Sequence, residues 1–188
     1  MVLSRARAPG AVARFTVGEL LANAAWASVL TYSGALLLDS YDLALTVAAL
    51  GLAAMVLGTF LARRHAARAT PRAARVPHAF QAGAVVVLGM IRTTPAVLAA
   101  MAFVNGWRSM IASALGMDAA PQDRVAVMSM RAAANQFGYL LGAASDGLAL
   151  AAAGFSGLGL ALGALFAAAV IVHAPALVPE AVAPEGAA

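Results

Sequence analysis

The stretch "MSMRAAANQFGYLLG", Met128 to Gly142, sets an arginine, an asparagine and a glutamine close together inside a run that is otherwise small and apolar. How those three residues are accommodated decides the fold. The chain has 188 residues, 63% of them hydrophobic and 11% charged, with a mean hydropathy of +0.86. An ordinary soluble domain carries roughly 25% charged residues. A water-soluble core of this size needs a polar coat, and the chain has too few polar residues to supply one. The sequence therefore predicts an all-α integral membrane protein whose apolar surface faces the lipid bilayer. Polar residues within its helices then turn inward, to a cavity or a partner.

The absence of cysteine excludes disulfides, thiolate metal sites and a cysteine nucleophile. All twelve basic residues are arginine, in an alanine-dominated chain, which points to a GC-rich bacterial genome and hence to a bacterial inner membrane. A sequence pI near 10.7 would suggest nucleic acid in a soluble protein. Here the arginine distribution assigns it to membrane orientation instead, and no nucleic-acid partner is expected.

A spanning helix needs about 20 mostly apolar residues. Six segments are predicted to span: Phe15 to Leu38, Leu43 to Ala62, Val76 to Ile91, Ala96 to Leu115, Ala126 to Leu150 and Gly157 to Ala174. The third is short, and spans if Arg75 and Arg92 snorkel to opposite interfaces. Asp39 to Asp42, Arg92 to Pro95 and Ala153 to Ser156 around Gly154 read as tight turns. Residues 1–14 form a cytoplasmic N-terminal segment, 15–177 the membrane domain, and 178–188, with prolines, glutamates and small residues, a disordered tail. Ala22-Asn23-Ala24 fits a signal-peptidase pattern, but the apolar run before it is short and contains Glu19, so the first segment reads as a true span. Arg5, Arg7, Arg14, Arg63, Arg64, Arg68, Arg72, Arg75 and Arg124 fall on the side of the termini and Arg92 opposite, which makes both ends cytoplasmic.

Small residues at intervals of three or four let helix backbones approach closely, the main source of helix contact in lipid. Ala134, Gly138, Gly142 and Asp146 lie on one such stripe, Ala54, Gly58 and Ala62 on a second, and Gly159 with Gly163 on a third. Ionisable groups inside a span cost about 2.5–3.5 kcal/mol each on insertion scales. Four occur here: Glu19, Arg108, Arg131 and Asp146. Counted along their helices, the first three share a layer near the cytoplasmic side, where Glu19 is placed to neutralise either arginine. Asn23 follows Glu19, and Asn135 follows Arg131, by four residues on the same helix faces, while Asn105, Arg108 and Ser109 share one face with Trp107 turned away. Plainer readings stand beside these. Glu19 is also a first-turn acid suited to the helix dipole, Arg131 can snorkel to headgroups, Asp146 can pair with Arg92 or reach the interface, and Trp26 either stacks on a ligand or fills the bundle. His65, His78 and His173 fall near cytoplasmic boundaries. No H-E-x-x-H, G-x-S-x-G or P-loop pattern occurs, so neither an enzyme nor a cofactor or metal site is expected.

Two stretches resemble the major facilitator superfamily of transporters, in its drug and metabolite efflux branch. "GTFLARRHAAR", Gly58 to Arg68, is similar to that family's glycine-to-basic loop between the second and third helices of each half, with Ala62 where the full motif has an aspartate. "APQDRVAVMSMRAAANQFGYLLGAASDGLALAAAGF", Ala120 to Phe155, is similar to the link between its tenth and eleventh helices and the small-residue helix that follows, departing at Ser145-Asp146. The resemblance runs from about Phe15 to Leu177. It implies the C-terminal six-helix half of such a transporter, a 3+3 inverted repeat that works against a second half, supplied by another chain or by a second copy. It further implies that Glu19, Asn23, Trp26, Asn105, Arg108 and Ser109 line the central pathway, that Asn135 and Gln136 face the pathway or the domain interface, and that Gly58, Arg63, Arg64, Arg68 and Arg131 form a cytoplasmic gate. The third and sixth helices, nearly free of polar residues apart from Gln81, face lipid on this scheme. The expected function is half of a secondary transporter that moves a small organic solute outward by alternating access, as an antiporter coupled to protons through Glu19 or Asp146. The alternative is a membrane subunit, or a truncated relative, that transports nothing.

Overall fold

The computed structural model describes residues 9–41, 44–66, 76–77, 79–83, 95–119 and 121–173, and these are helical except at the short turn 121–123. Four long helices carry the structure: α1 (Pro9–Tyr41), α2 (Ala44–Ala66), α3 (Pro95–Ala119) and α4 (Arg124–His173). Residues 79–83 add a short helical stretch between α2 and α3. Local chemistry explains the helix ends. α1 and α3 both begin at proline, whose fixed φ suits a first helical position and whose missing N–H costs nothing there. α2 ends in Arg63, Arg64 and His65, on the turn where positive charge complements the helix dipole. α4 starts where the Asp123 carbonyl accepts a hydrogen bond from the Val127 N–H at 3.0 Å.

α4 is 50 residues long and breaks once, at Ala153 (φ −143°, ψ 18°) and Gly154 (φ 62°, ψ −158°). Glycine reaches that positive φ without the steric penalty a Cβ would impose. The break divides α4 into two arms, and the second returns alongside α1. Leu158, Leu162, Phe166 and Ala169 of that arm share one buried cluster with Ala22, Ala25, Trp26 and Val29 of α1 and Leu98, Met101 and Ala102 of α3.

Two helix pairs are closely packed, α1 with α4 and α2 with α3. In both, glycine makes the contact possible. A Cβ at Gly142 would run into the Ala24 carbonyl oxygen, and one at Gly58 into that of Phe103. Contacts between α1 and the first arm of α4 step forward together, from Leu20 with Gly138 to Ala24 with Gly142 and Tyr32 with Gly147. The two helices therefore run in the same direction, although more than a hundred positions separate the partners along the chain.

The expected set of six membrane spans, arranged as half of a transporter bundle, is corrected by this structure. Among the described residues one helix is long and apolar enough to cross a membrane, over Arg124–Val172. The fifth and sixth expected spans are two arms of that single helical run, and the third expected span lies largely outside the described residues. Between them only Ala153 and Gly154 leave the helical conformation, so the turn expected between two separate spans is a two-residue break within one run. The outer faces are nonetheless strongly apolar. Leu52, Val56 and Phe60 on α2 and Phe137, Leu140 and Leu148 on α4 are all exposed.

Candidate functional site

The helical period places three short polar faces at one level of the bundle. On α1, Glu19 and Asn23 are four residues apart. On α3, Asn105, Arg108 and Ser109 fall within one turn, and on the first arm of α4 Arg131 and Asn135 are again four apart. Because α1 packs along α4 and also touches α3, these faces meet around the Glu19 carboxylate. Its Oε1 accepts a hydrogen bond from Arg108 Nη1 at 2.9 Å and its Oε2 one from Arg131 Nε at 2.8 Å. Glu19 has no exposed surface and Arg108 only 2%.

Side-chain amides and hydroxyls occupy much of what the arginines leave over. Arg108 Nε donates to Asn105 Oδ1 at 3.1 Å and Nη2 to Asn23 Oδ1 at 3.4 Å. Arg131 Nη1 donates to Ser113 Oγ at 3.1 Å, and Nη2 reaches Ser109 Oγ at 3.3 Å and its carbonyl at 3.4 Å. Asn23 Nδ2 donates to the Glu19 carbonyl and to Asn135 Oδ1, both at 2.7 Å, which ties α1 to α4 directly. Gln81 Nε2 donates to Asn105 Oδ1 at 3.4 Å, while Gln81 Oε1 is buried with no hydrogen-bond partner among the described residues.

Among the described residues, one carboxylate between two guanidiniums gives the cluster a surplus positive charge. Buried ion pairs gain strength from low polarity but lose hydration, and the balance is close to neutral while every partner is present. Removing one partner is different, because the remaining charge is then buried alone.

A second buried carboxylate lies further along α4. Asp146 has no exposed surface. Its Oδ1 lies 3.5 Å from Ser145 Oγ, a hydroxyl that also donates to the Gly142 carbonyl at 3.3 Å. The hydroxyl of Ser28, a buried α1 residue, faces the same carboxylate. Asp146 Oδ2 has no hydrogen-bond partner among the described residues.

The structure thus brings Glu19, Asn23, Asn105, Arg108, Ser109, Arg131 and Asn135 into one network and leaves other expected site residues apart. Trp26 belongs to the apolar cluster of α1, α3 and the second arm of α4. Gln136 is exposed on the face of α4 opposite its packed side. Asp146 stands apart from both arginines, and Arg92 lies outside the described residues. Gly58 serves close packing against α3, Arg63 and Arg64 are exposed at the end of α2, and Arg68 lies outside the described residues.

Sequence reasoning missed two members, Ser113 and Gln81. Ser113 continues the Ser109 face at the next helical turn, and that spacing was available in the sequence. Gln81 was expected on a lipid-facing helix. It is fully buried instead and bonded to Asn105, and its signal was that of a lone amide in an apolar run. The sixth expected helix is likewise corrected, since Leu158, Leu162 and Phe166 sit in the core. No family model matches the chain, and no curated protein or solved structure matches it.

Proposed function

We propose that the chain is a membrane-embedded subunit of a secondary transporter, which moves a small organic solute out of a bacterial cell by alternating access, in exchange for a cation. The observation that carries this reading is the buried Glu19–Arg108–Arg131 cluster, whose two ion pairs join α1, α3 and α4. Embedded ionisable groups cost enough that they usually serve a pathway or a partner. The exposed apolar faces of α2 and α4 support the lipid setting, as does the length of α4. The motif resemblance to the major facilitator superfamily supports transport as the class of activity.

On this reading the surplus positive charge selects the solute. An anionic group takes the place of one Glu19 oxygen on Arg108, a guanidinium being suited to bidentate carboxylate binding. Gln81 Oε1, which has no partner among the described residues, accepts a donor from the same solute. Arg131, the more exposed of the two arginines, keeps Glu19 while Arg108 is engaged. The second half needed for alternating access is another chain or a second copy.

One feature favours a rival. All three Arg108 nitrogens already hold protein partners, as in a static staple of a membrane subunit that transports nothing. The chain contains no cysteine, so Asn105→Cys gives a single reporter beside Arg108. Transport predicts that a membrane-impermeant thiol reagent labels this cysteine in native membranes, and that a small carboxylate such as benzoate slows the labelling. A cysteine that resists the reagent in every condition refutes transport through this cluster and leaves the staple.

A further inference from the structure

The sequence offers Glu19 or Asp146 as the proton-linked carboxylate, and their surroundings separate them. Both Glu19 oxygens are held by guanidiniums at 2.8 and 2.9 Å. Asp146 is fully buried and makes no ion pair among the described residues, and its Oδ2 has no hydrogen-bond partner there. An isolated carboxylate charge in an apolar interior is unfavourable enough that it is found either neutralised or paired.

We propose that Asp146, together with Ser28 and Ser145, binds one monovalent cation, a proton or a sodium ion, at a site separate from the arginine cluster. This deepens the transport reading by assigning the coupling cation to Asp146.

The oxygens around the carboxylate suit such a ligand. Ser145 Oγ holds its two acceptors at 3.3 and 3.5 Å, and Ser28 Oγ donates to the Ala24 carbonyl at 3.4 Å. Bonds this long are weak. Either hydroxyl can turn a lone pair toward a cation at little cost, and hydroxyl, carboxylate and carbonyl oxygens are the donors hard cations prefer. The missing side chain at Gly142 brings the Ala24 carbonyl against α4 one turn before Asp146, so backbone oxygens of both helices lie close by. Among the described residues, Tyr32 is the titratable group on α1 beside the site, its hydroxyl 3.2 Å from where a Cβ of Gly147 would sit. α1 and α4 each supply part of the site, so occupancy reports on how the two helices are packed.

The test uses the purified full-length chain in lipid nanodiscs and needs no transport. Thermal unfolding is followed as sodium replaces choline at constant ionic strength, and infrared spectra are recorded across a pH series for the band of a protonated carboxyl group. A sodium-dependent rise in Tm that Asp146→Asn abolishes supports the site with sodium as its ligand. No sodium effect, with a protonated-carboxyl band that Asp146→Asn removes and Glu19→Gln does not, supports it with the proton as ligand. Neither signal in the wild-type chain overturns the proposal, as does a signal that survives Asp146→Asn. Should Asp146→Asn not fold, Ser28→Ala keeps the carboxylate. It is expected to raise the half-saturating sodium concentration, or shift the pH of the band, by about tenfold in concentration, the loss of one neutral contact; an unchanged value removes Ser28 from the site. Cation binding in a chain that moves no solute would leave this site standing and refute transport, and solute movement indifferent to both cations would do the reverse.

Discussion

Glu19 and Asp146 are both carboxylates with no exposed surface, and each lies where α1 packs along the first arm of α4. At Glu19 the protein supplies two guanidiniums, three helices and a shell of amides and hydroxyls. At Asp146 it supplies loosely held hydroxyls and leaves one oxygen unpartnered among the described residues. Equal burial thus hides opposite electrostatics. The first carboxylate is held by groups the chain itself supplies, whereas the second keeps an oxygen open among the described residues. Depth in the structure says little about function until the partners are counted.

The sharpest way to break this contrast is Glu19→Gln. It leaves Arg108 and Arg131 buried without a counter-charge among the described residues, and loss of one partner of a buried pair costs about 3–5 kcal/mol. Denaturant unfolding in a fixed detergent should report a loss of that size, and a change under about 1 kcal/mol would show that the cluster is hydrated in solution. Next in size is Gly142→Leu. With the Ala24 carbonyl occupying the space a Cβ would need, a side chain there forces α1 and α4 apart at a cost of about 1–3 kcal/mol. The same change should lower cation occupancy at Asp146, since half of that site sits on α1. A variant as stable as wild type would mean that this helix contact differs in solution.

Smaller effects sharpen the comparison. Asn23→Ala removes the amide that bonds both the Glu19 carbonyl and Asn135, a loss of about 1–2 kcal/mol. Its double mutant with Asn135→Ala should be less costly than the sum, because either change alone breaks the shared bond. Asp146→Asn keeps the shape and contacts of the side chain and should shift stability by less than about 1 kcal/mol without sodium. If it proved as damaging as Glu19→Gln, Asp146 would have a hidden counter-charge and the contrast would collapse. Gln136→Ala, on the exposed face of α4, should change stability by less than about 0.5 kcal/mol; a larger loss would mark that face as a contact surface.

Much of the arginine cluster was legible before any coordinates, and the reason is periodicity. Residues three and four apart on a helix share a face whatever the fold, so Glu19 with Asn23, Asn105 with Arg108 and Ser109, and Arg131 with Asn135 form three stripes on spacing alone. The cost of burying charge then makes those stripes seek one another. Gln81 escaped because an isolated amide has no period to reveal it, and Gln136 was misleading because one step along a helix turns a side chain by about 100°, enough to take it off the packed face that holds Asn135. Six spans were expected because apolar length is additive along a chain, whereas the direction of each face is not.

The sequence by itself determined that the chain is helical and apolar outside, where glycines would let helices touch, and that a break falls at Gly154, because each of these rests on residues close together in the chain. Only the tertiary structure decided that one glutamate answers two arginines and that Gln81 belongs with them. It alone set the oxygens around Asp146, one of which stands without a partner among the described residues. Those facts depend on which helices become neighbours and at what register, and that is settled by packing between segments that lie more than a hundred residues apart.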